Sequence, residues 1–269
     1  MKMLKWIFIP LLLLVLIIAG VSVFFLSNIN RIVEDAVETV GPKVTETKVD
    51  LQSVDIQLLK GGGEFNNLVI DNPPGYKSPY LFESKKLAME IDPKSIQNKV
   101  VVINKLDIQG VKIVAEQKGL TTNIQTLLKT LSKQQPSDSS KTETASDSAA
   151  SDVRLALKYL NFSGSSIQLI TEKYGEYTVP LPEFQLNNIG DPEKGLTPEE
   201  FGSAVLKPLM KQAQKAVEKR IEQEAKKQFE KEVGDKLEDE VSKKVNEELG
   251  EGASEKAEKT YKELKGLFK

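Results

Sequence analysis

The 269-residue chain has neither histidine nor cysteine, and those two absences exclude most catalytic and metal chemistry. Without them there is no Ser-His-Asp or Cys-His nucleophile, no zinc site with nitrogen or sulfur ligands, and no disulfide framework. Lipoprotein processing is excluded too, since there is no thiol to acylate. Charge of one sign is also lacking: 37 Lys and Arg against 39 Asp and Glu leave a net charge of −2, not the basic footprint of a nucleic-acid binder. A Gly-rich phosphate loop is missing as well. Gly61-Gly62-Gly63 has no following Lys-Ser/Thr and no dinucleotide spacing, and reads as a hairpin turn. The carboxylates fall mostly on a charged helix or alternate with apolar strand residues, the setting of solvated side chains. No catalytic set, metal site or cofactor is expected, and no nucleic-acid partner.

What is present begins with an uncharged apolar segment, Trp6 to Leu26. About 20 apolar residues at 1.5 Å each cross a ~30 Å hydrocarbon core, so the segment is long enough for a transmembrane helix. A cleaved signal peptide would end its apolar region at small residues, whereas Val23, Phe24, Phe25 and Leu26 continue past Ala19, Gly20 and Ser22. A retained anchor is therefore favoured. Lys2, Lys5 and the terminal amine precede the span and Arg31 follows among Glu34, Asp35 and Glu38, which favours a cytoplasmic N-terminus over residues 1–5 and a body outside the cytoplasm.

Ile29, Ile32, Val33, Ala36 and Val40 recur at helical spacing, and Gly41-Pro42 ends the pattern, predicting a stalk helix over 27–42. From Lys43 the period changes to two. Val54, Ile56 and Leu58, then Leu87, Met89 and Ile91, then Leu106 and Ile108 alternate with polar residues. Turn residues at Gly61–Gly63, Asn72-Pro73-Pro74-Gly75, Asp92-Pro93 and Gln109-Gly110 suit an antiparallel meander over 43–131, with Gly110 joining two paired strands. Thr122 and Gln125 form a capping box opening a short helix with Ile124, Leu127, Leu128 and Leu131 on one face.

Residues 132–152 carry no large apolar side chain and read as a disordered linker. Over 153–190 strands resume: Val153, Leu155, Leu157 and Tyr159 alternate, Ile167 and Leu169 follow Gly164, and Val179 and Leu181 precede Phe184 and Leu186. This stretch is too short for its own core and is expected to complete the first sheet. Thr197-Pro198-Glu199-Glu200 starts a long charged helix over 197–249, kinked near Pro208. Its apolar residues fall every fourth position, from Leu209 through Ala213, Val217, Ile221, Ala225, Phe229 and Val233 onward. That stripe drifts about 40° per step, which disfavours a long coiled-coil zipper. Pairs such as Glu222–Lys226 and Glu232–Lys236 support a solvated helix. Charged spacer and narrow docking surface both remain open. An amphipathic helix over 253–269 closes the chain, with Ala257, Tyr261, Leu264 and Phe268 on one side.

Several segments, in order, resemble the start of a bacterial AsmA-family protein: Val40-Gly41-Pro42-Lys43-Val44, Leu51 to Leu58, and Gly63 to Tyr76 with its Asn72-Pro73-Pro74-Gly75 turn. They continue with Met89 to Ile96, Ile103 to Val111, and Gly119 to Leu128. The resemblance implies an inner-membrane anchor, a periplasmic body, and a role in envelope lipid homeostasis or outer-membrane assembly. Larger members are similar to bridge-like lipid-transfer proteins, with acyl chains carried on a curved sheet. The long charged helix here departs from their extended sheet.

The expected fold is α+β: a transmembrane helix and stalk, a curved antiparallel sheet with a groove, and a long charged helix. Two functions follow. One is a non-enzymatic lipid-contacting module in the envelope, its candidate groove residues being Val54, Ile56, Leu58, Leu87, Met89, Ile91, Val102, Leu106 and Ile108. For any one of these residues ordinary core packing is the favoured reading. The other is a tether whose long helix binds a protein partner.

Overall fold

The structure is a computed structural model that describes residues 28–133 and 153–249. The 6–26 span, residues 1–5, nearly all of the 132–152 linker and the 253–269 helix lie outside the described residues. Among the described residues no helix is long and apolar enough to cross a membrane.

Helix α1 covers residues 28–45, running three residues past Gly41-Pro42. Strands β1 (Val49–Gln57), β2 (Gly62–Asp71), β3 (Tyr80–Ile91), β4 (Val100–Gln109), β5 (Lys112–Lys118) and the short β6 (Thr121–Thr122) follow, then α2 (Asn123–Lys133). After the linker come β7 (Arg154–Ser163), β8 (Ser166–Thr171), β9 (Gly175–Pro180), β10 (Phe184–Ile189) and α3 (Pro198–Leu249). The fold is α+β, with the strands before and after the linker in one sheet.

The sheet is mixed rather than antiparallel. β4 pairs with β7, and β5 with β8, in parallel. Parallel neighbours need a long crossover, and α2 with the linker supplies it. The expected β4–β5 hairpin is not formed either: both strands pair with β3. Gly110, left-handed at φ 64°, instead joins two strands that lie in succession along β3. Here the chain turns through a corner without reversing.

The same corner recurs in the next strands. β7 follows β4 at a constant offset, Val100 facing Arg154 and Gln109 facing Ser163, and the offset is unchanged beyond the corner, where Lys112 faces Ser166. Gly164, at φ 60°, turns β7 into β8. β9 and β10 lie antiparallel to β8 and β7 in one continuous register, Ser166 facing Pro180 and Phe162 facing Phe184. Three successive bent strands therefore form a crease. At the first two bends the buried parity switches, from Ile108 to Ile113 and from Phe162 to Ile167, because the left-handed glycine offsets the pleat by one; in the third strand the half-buried Phe184 and the buried Val179 take the corresponding positions.

α1 covers the β1 edge. Asn30 Oδ1 accepts the Ile56 N–H at 2.8 Å and Glu38 Oε1 accepts the Leu51 N–H at 3.1 Å. Gly41 permits the close approach, since a Cβ there would lie 2.7 Å from Val49 Cβ. Both predicted capping boxes form. Gln125 N–H donates to Thr122 Oγ1 and Thr122 N–H to Gln125 Oε1; Glu200 N–H donates to Thr197 Oγ1 and Thr197 N–H to Glu200 Oε2. The described residues up to Val217 form one compact unit, in which Leu209, Met210, Ala213 and Val217 of α3 are buried. Thr122 Oγ1 meets Gln214 Oε1 at 2.9 Å and Ser203 Oγ donates to Leu131 O, so α3 packs beside α2. The helix runs on through Pro208.

From Glu218 the helix belongs to a second unit. Its ion pairs are not those of the i,i+4 pattern alone: Glu224 meets both Arg220 and Lys227 at 3.1 Å, and Lys226 meets Glu230 at 3.9 Å. Phe229 is 67 % exposed.

Gly110→Val is expected to lower the midpoint of thermal unfolding by several degrees, since a β-branched residue at positive φ costs about 1–2 kcal/mol. Gly62→Val, at a strand position with open space around it, should be close to neutral. Circular dichroism melts of the detergent-solubilised chain compare the two. Equal midpoints would show that the corner does not depend on Gly110.

Candidate functional site

Two apolar rows cross the sheet on its inner face. Directly paired residues run Val54, Phe65, Leu87, Ile108, Phe162 and Phe184 over six strands. The neighbouring row runs Ile56, Gly63, Met89, Leu106, Leu160 and Leu186. Six strands at ~4.8 Å spacing make each row about 24 Å wide, longer than the ~15 Å half-thickness of a bilayer's hydrocarbon core.

Of the nine candidate residues, Val54, Leu87 and Ile108 lie in the first row and Ile56, Met89 and Leu106 in the second. Ile91 and Val102 lie beyond a bulge at Glu90/Ile91, where the register between β3 and β4 slips. Leu58 is not on a strand; it opens the 3-10 turn Leu58–Lys60, and the following Gly61 is left-handed at φ 66°. Val54, Leu87, Ile91, Val102, Leu106 and Ile108 are buried, whereas Ile56, Leu58 and Met89 keep part of their surface exposed. Gly63 leaves a gap in its row that Ile56 and Met89 close, each with an atom 2.9 Å from where a Cβ would stand.

Phe65, Leu160, Phe162, Phe184 and Leu186 complete the rows and were not among the candidates. Phe162 and Phe184 stack at 5.0 Å between centroids. Their signal was present as Leu160-x-Phe162. The alternation of Val153, Leu155, Leu157 and Tyr159 pointed instead to the opposite phase, of which only Leu157 is buried and Val153 is 45 % exposed.

The other face of these strands is charged. Lys86 Nζ meets Glu64 Oε1 at 2.7 Å, and Lys105 meets Asp107, which also accepts from Asn161 Nδ2. The hydrogen bond and charge of Asp107 outweigh partial desolvation and raise the Lys105 amine above its ordinary value. The polarity of the two faces is thus sharply divided, and exposed pairs of this kind add little stability.

At the end of the sheet away from the Leu58–Lys60 turn, the chain closes on itself through one carboxylate. Glu116, 8 % exposed on β5, accepts the Lys77 and Ser78 N–H groups and the Ser78 hydroxyl, all within 2.9 Å. Asn123 bridges the same place: its Nδ2 donates to Val114 O and Asn72 Oδ1, and its Oδ1 accepts the Glu116 N–H. The Asn72–Tyr76 and Gly119–Leu128 segments, far apart in sequence, therefore meet here. Desolvation pushes the Glu116 carboxyl up, but the three hydrogen-bond donors together outweigh it and hold its pKa below the ordinary 4.5. Among the described residues no group of acidic side chains is arranged to hold a metal ion.

Because the folded pKa is depressed, Glu116 contributes stability above about pH 4.5 that is lost as pH falls through its folded value. Glu116→Gln should cost roughly 1–3 kcal/mol at neutral pH. It should also flatten the acid limb of stability below pH 4.5. Denaturant midpoints measured across that range check both, and an unchanged acid limb would remove Glu116 as its cause.

Compared with known proteins, the chain matches the family model described as the AsmA family over residues 1–245. No curated protein and no solved structure matches it.

Proposed function

The chain belongs to the AsmA family, and from that premise we propose that it is an inner-membrane protein, anchored by residues 6–26 with its body in the periplasm, that handles lipid through the apolar face of its sheet. The family consists generally of non-enzymatic envelope proteins, and the proposed role is accordingly binding, with no bond made or broken. The observation that carries it is the pair of apolar rows over six strands, opposed by a charged outer face. Ile56, Phe65, Met89, Phe184 and Leu186, the row members with surface left exposed, are where an acyl chain would first be met. The buried members serve as the floor beneath them.

A second reading has one observation in its favour. Phe229 at 67 % exposure and Val233 at 38 % stand on one stripe of the solvated half of α3, the side chains a tether would use to hold a protein partner.

Native mass spectrometry of the gently extracted chain, followed by lipid extraction, separates the readings. A phospholipid retained in stoichiometric amount, and reduced at least about tenfold in an Ile56→Asp/Met89→Asp variant that still folds, is the expected result. That loss corresponds to about 1.4 kcal/mol of binding. An empty parent chain, or equal lipid on parent and variant, would reject the lipid face.

A further inference from the structure

The sheet has one end that the chain itself ties to the start of α1. α1 runs antiparallel to β1: residue 41 lies against Val49, Glu38 against Leu51, and Asn30 against Ile56. β1 therefore advances toward the N-terminal end of α1, and the Leu58–Lys60 turn lies just beyond Ile56 in that direction. Leu26, the last residue of the apolar segment, is four residues from Asn30, a reach of at most about 14 Å. A headgroup layer is ~5–8 Å thick on each side of the hydrocarbon. The turn is thus held within reach of that layer.

A second loop shares the same tip. Ile91 N–H donates to Gly61 O at 2.7 Å, and a Cβ on Gly61 would lie 3.2 Å from Pro93 Cγ. The 92–99 loop is internally braced: Ser95 Oγ donates to Asp92 O, accepts from Val102 N–H, and Lys94 N–H donates to Asp92 Oδ1. Three lysines project from this braced tip. Lys60, Lys94 and Lys99 are all exposed, and none has an ion-pair partner among the described residues. None of the described acids around them is within ion-pair distance of the three amines. Asp92 accepts the Lys94 N–H, Asp55 accepts Gln57 Nε2, Asp35 pairs with Arg31, and Glu90 stands opposite Lys105. Glu34, one residue nearer the start of α1 than Asp35, forms no ion pair with any of the three lysines.

We propose that this tip rests on anionic phospholipid headgroups through Lys60, Lys94 and Lys99, presenting the strand ends to the bilayer in a fixed orientation. It rests on the reading of residues 6–26 as a retained membrane anchor. The braced backbone keeps the three ammonium groups together at one end of the sheet, and each basic residue near an anionic surface shifts the docked-to-undocked ratio about fivefold.

The absence of native cysteine allows a single label to be placed. The full chain carrying Asn98→Cys at the tip, or Glu172→Cys beyond β8 at the other end, is reconstituted in phosphatidylethanolamine/phosphatidylglycerol vesicles with a headgroup-attached quencher. Position 98 should be quenched several-fold more than position 172. The Lys60→Gln/Lys94→Gln/Lys99→Gln variant should lose most of that difference, as should vesicles of phosphatidylcholine alone, and the corresponding triple Arg variant should retain it. Equal quenching at 98 and 172, or a triple Gln variant indistinguishable from the parent, overturns the proposal. Carbonate extraction of the same vesicles distinguishes the causes: release of the chain overturns the anchor and the tip together, whereas a retained chain with an unquenched tip overturns the tip alone.

Discussion

Backbone pairing that continues in register through a corner is the constraint on which the rest of this structure depends. Adjacent strands keep their ladder across a bend only if each bends at the same level. Gly110 and Gly164 stand at that level: Gly110 N–H donates to Ser163 O, Val111 N–H to Ser165 Oγ, and Ser166 N–H to Val111 O. Leu181 N–H then donates to Ser165 O, carrying the bend into the last pair of strands. Because the parity of the apolar residues shifts in all three, the inner face stays apolar on both sides of the crease. A corner in one strand alone would have turned its apolar residues toward water.

The edges of the sheet follow from the same need to satisfy backbone donors. β1 has its outward N–H groups at Leu51 and Ile56 taken by Glu38 and Asn30, so a helix supplies what a further strand would otherwise provide. That helix lies between the apolar N-terminal segment and the first strand, and the bonds that protect the edge also orient the sheet against whatever holds residue 28. At the opposite edge Pro180 ends β9 and Asn188 sits at φ 57° within β10, a missing donor and a local irregularity, both of which discourage pairing with another chain.

The organisation of the site was partly legible beforehand. Val54, Leu87 and Ile108, and Ile56, Met89 and Leu106, were visible as period-two positions, and the structure sets each trio in one cross-strand row. Leu160 and Phe162 escaped because the preceding odd-numbered apolar residues suggested the other phase, and phase is decided by which neighbour a strand acquires. The joining of the Asn72–Tyr76 turn to α2 through Glu116 and Asn123 had no sequence signal, since an isolated glutamate in an alternating strand reads as solvated.

By itself the sequence determined what depends on a few consecutive residues: helix starts at Thr122 and Thr197, where cap and partner are three positions apart; left-handed glycines at Gly61, Gly110 and Gly164; and an apolar–polar alternation that could only be sheet. The parallel placement of β7 beside β4, the corner in place of a hairpin at Gly110, the mixed character of the sheet and the closure of the β1 edge by α1 were decided only in three dimensions. Each of those depends on hydrogen bonds between residues tens of positions apart. Backbone donors and acceptors are alike at every residue, so local chemistry marks where a strand lies but not the partner it pairs with.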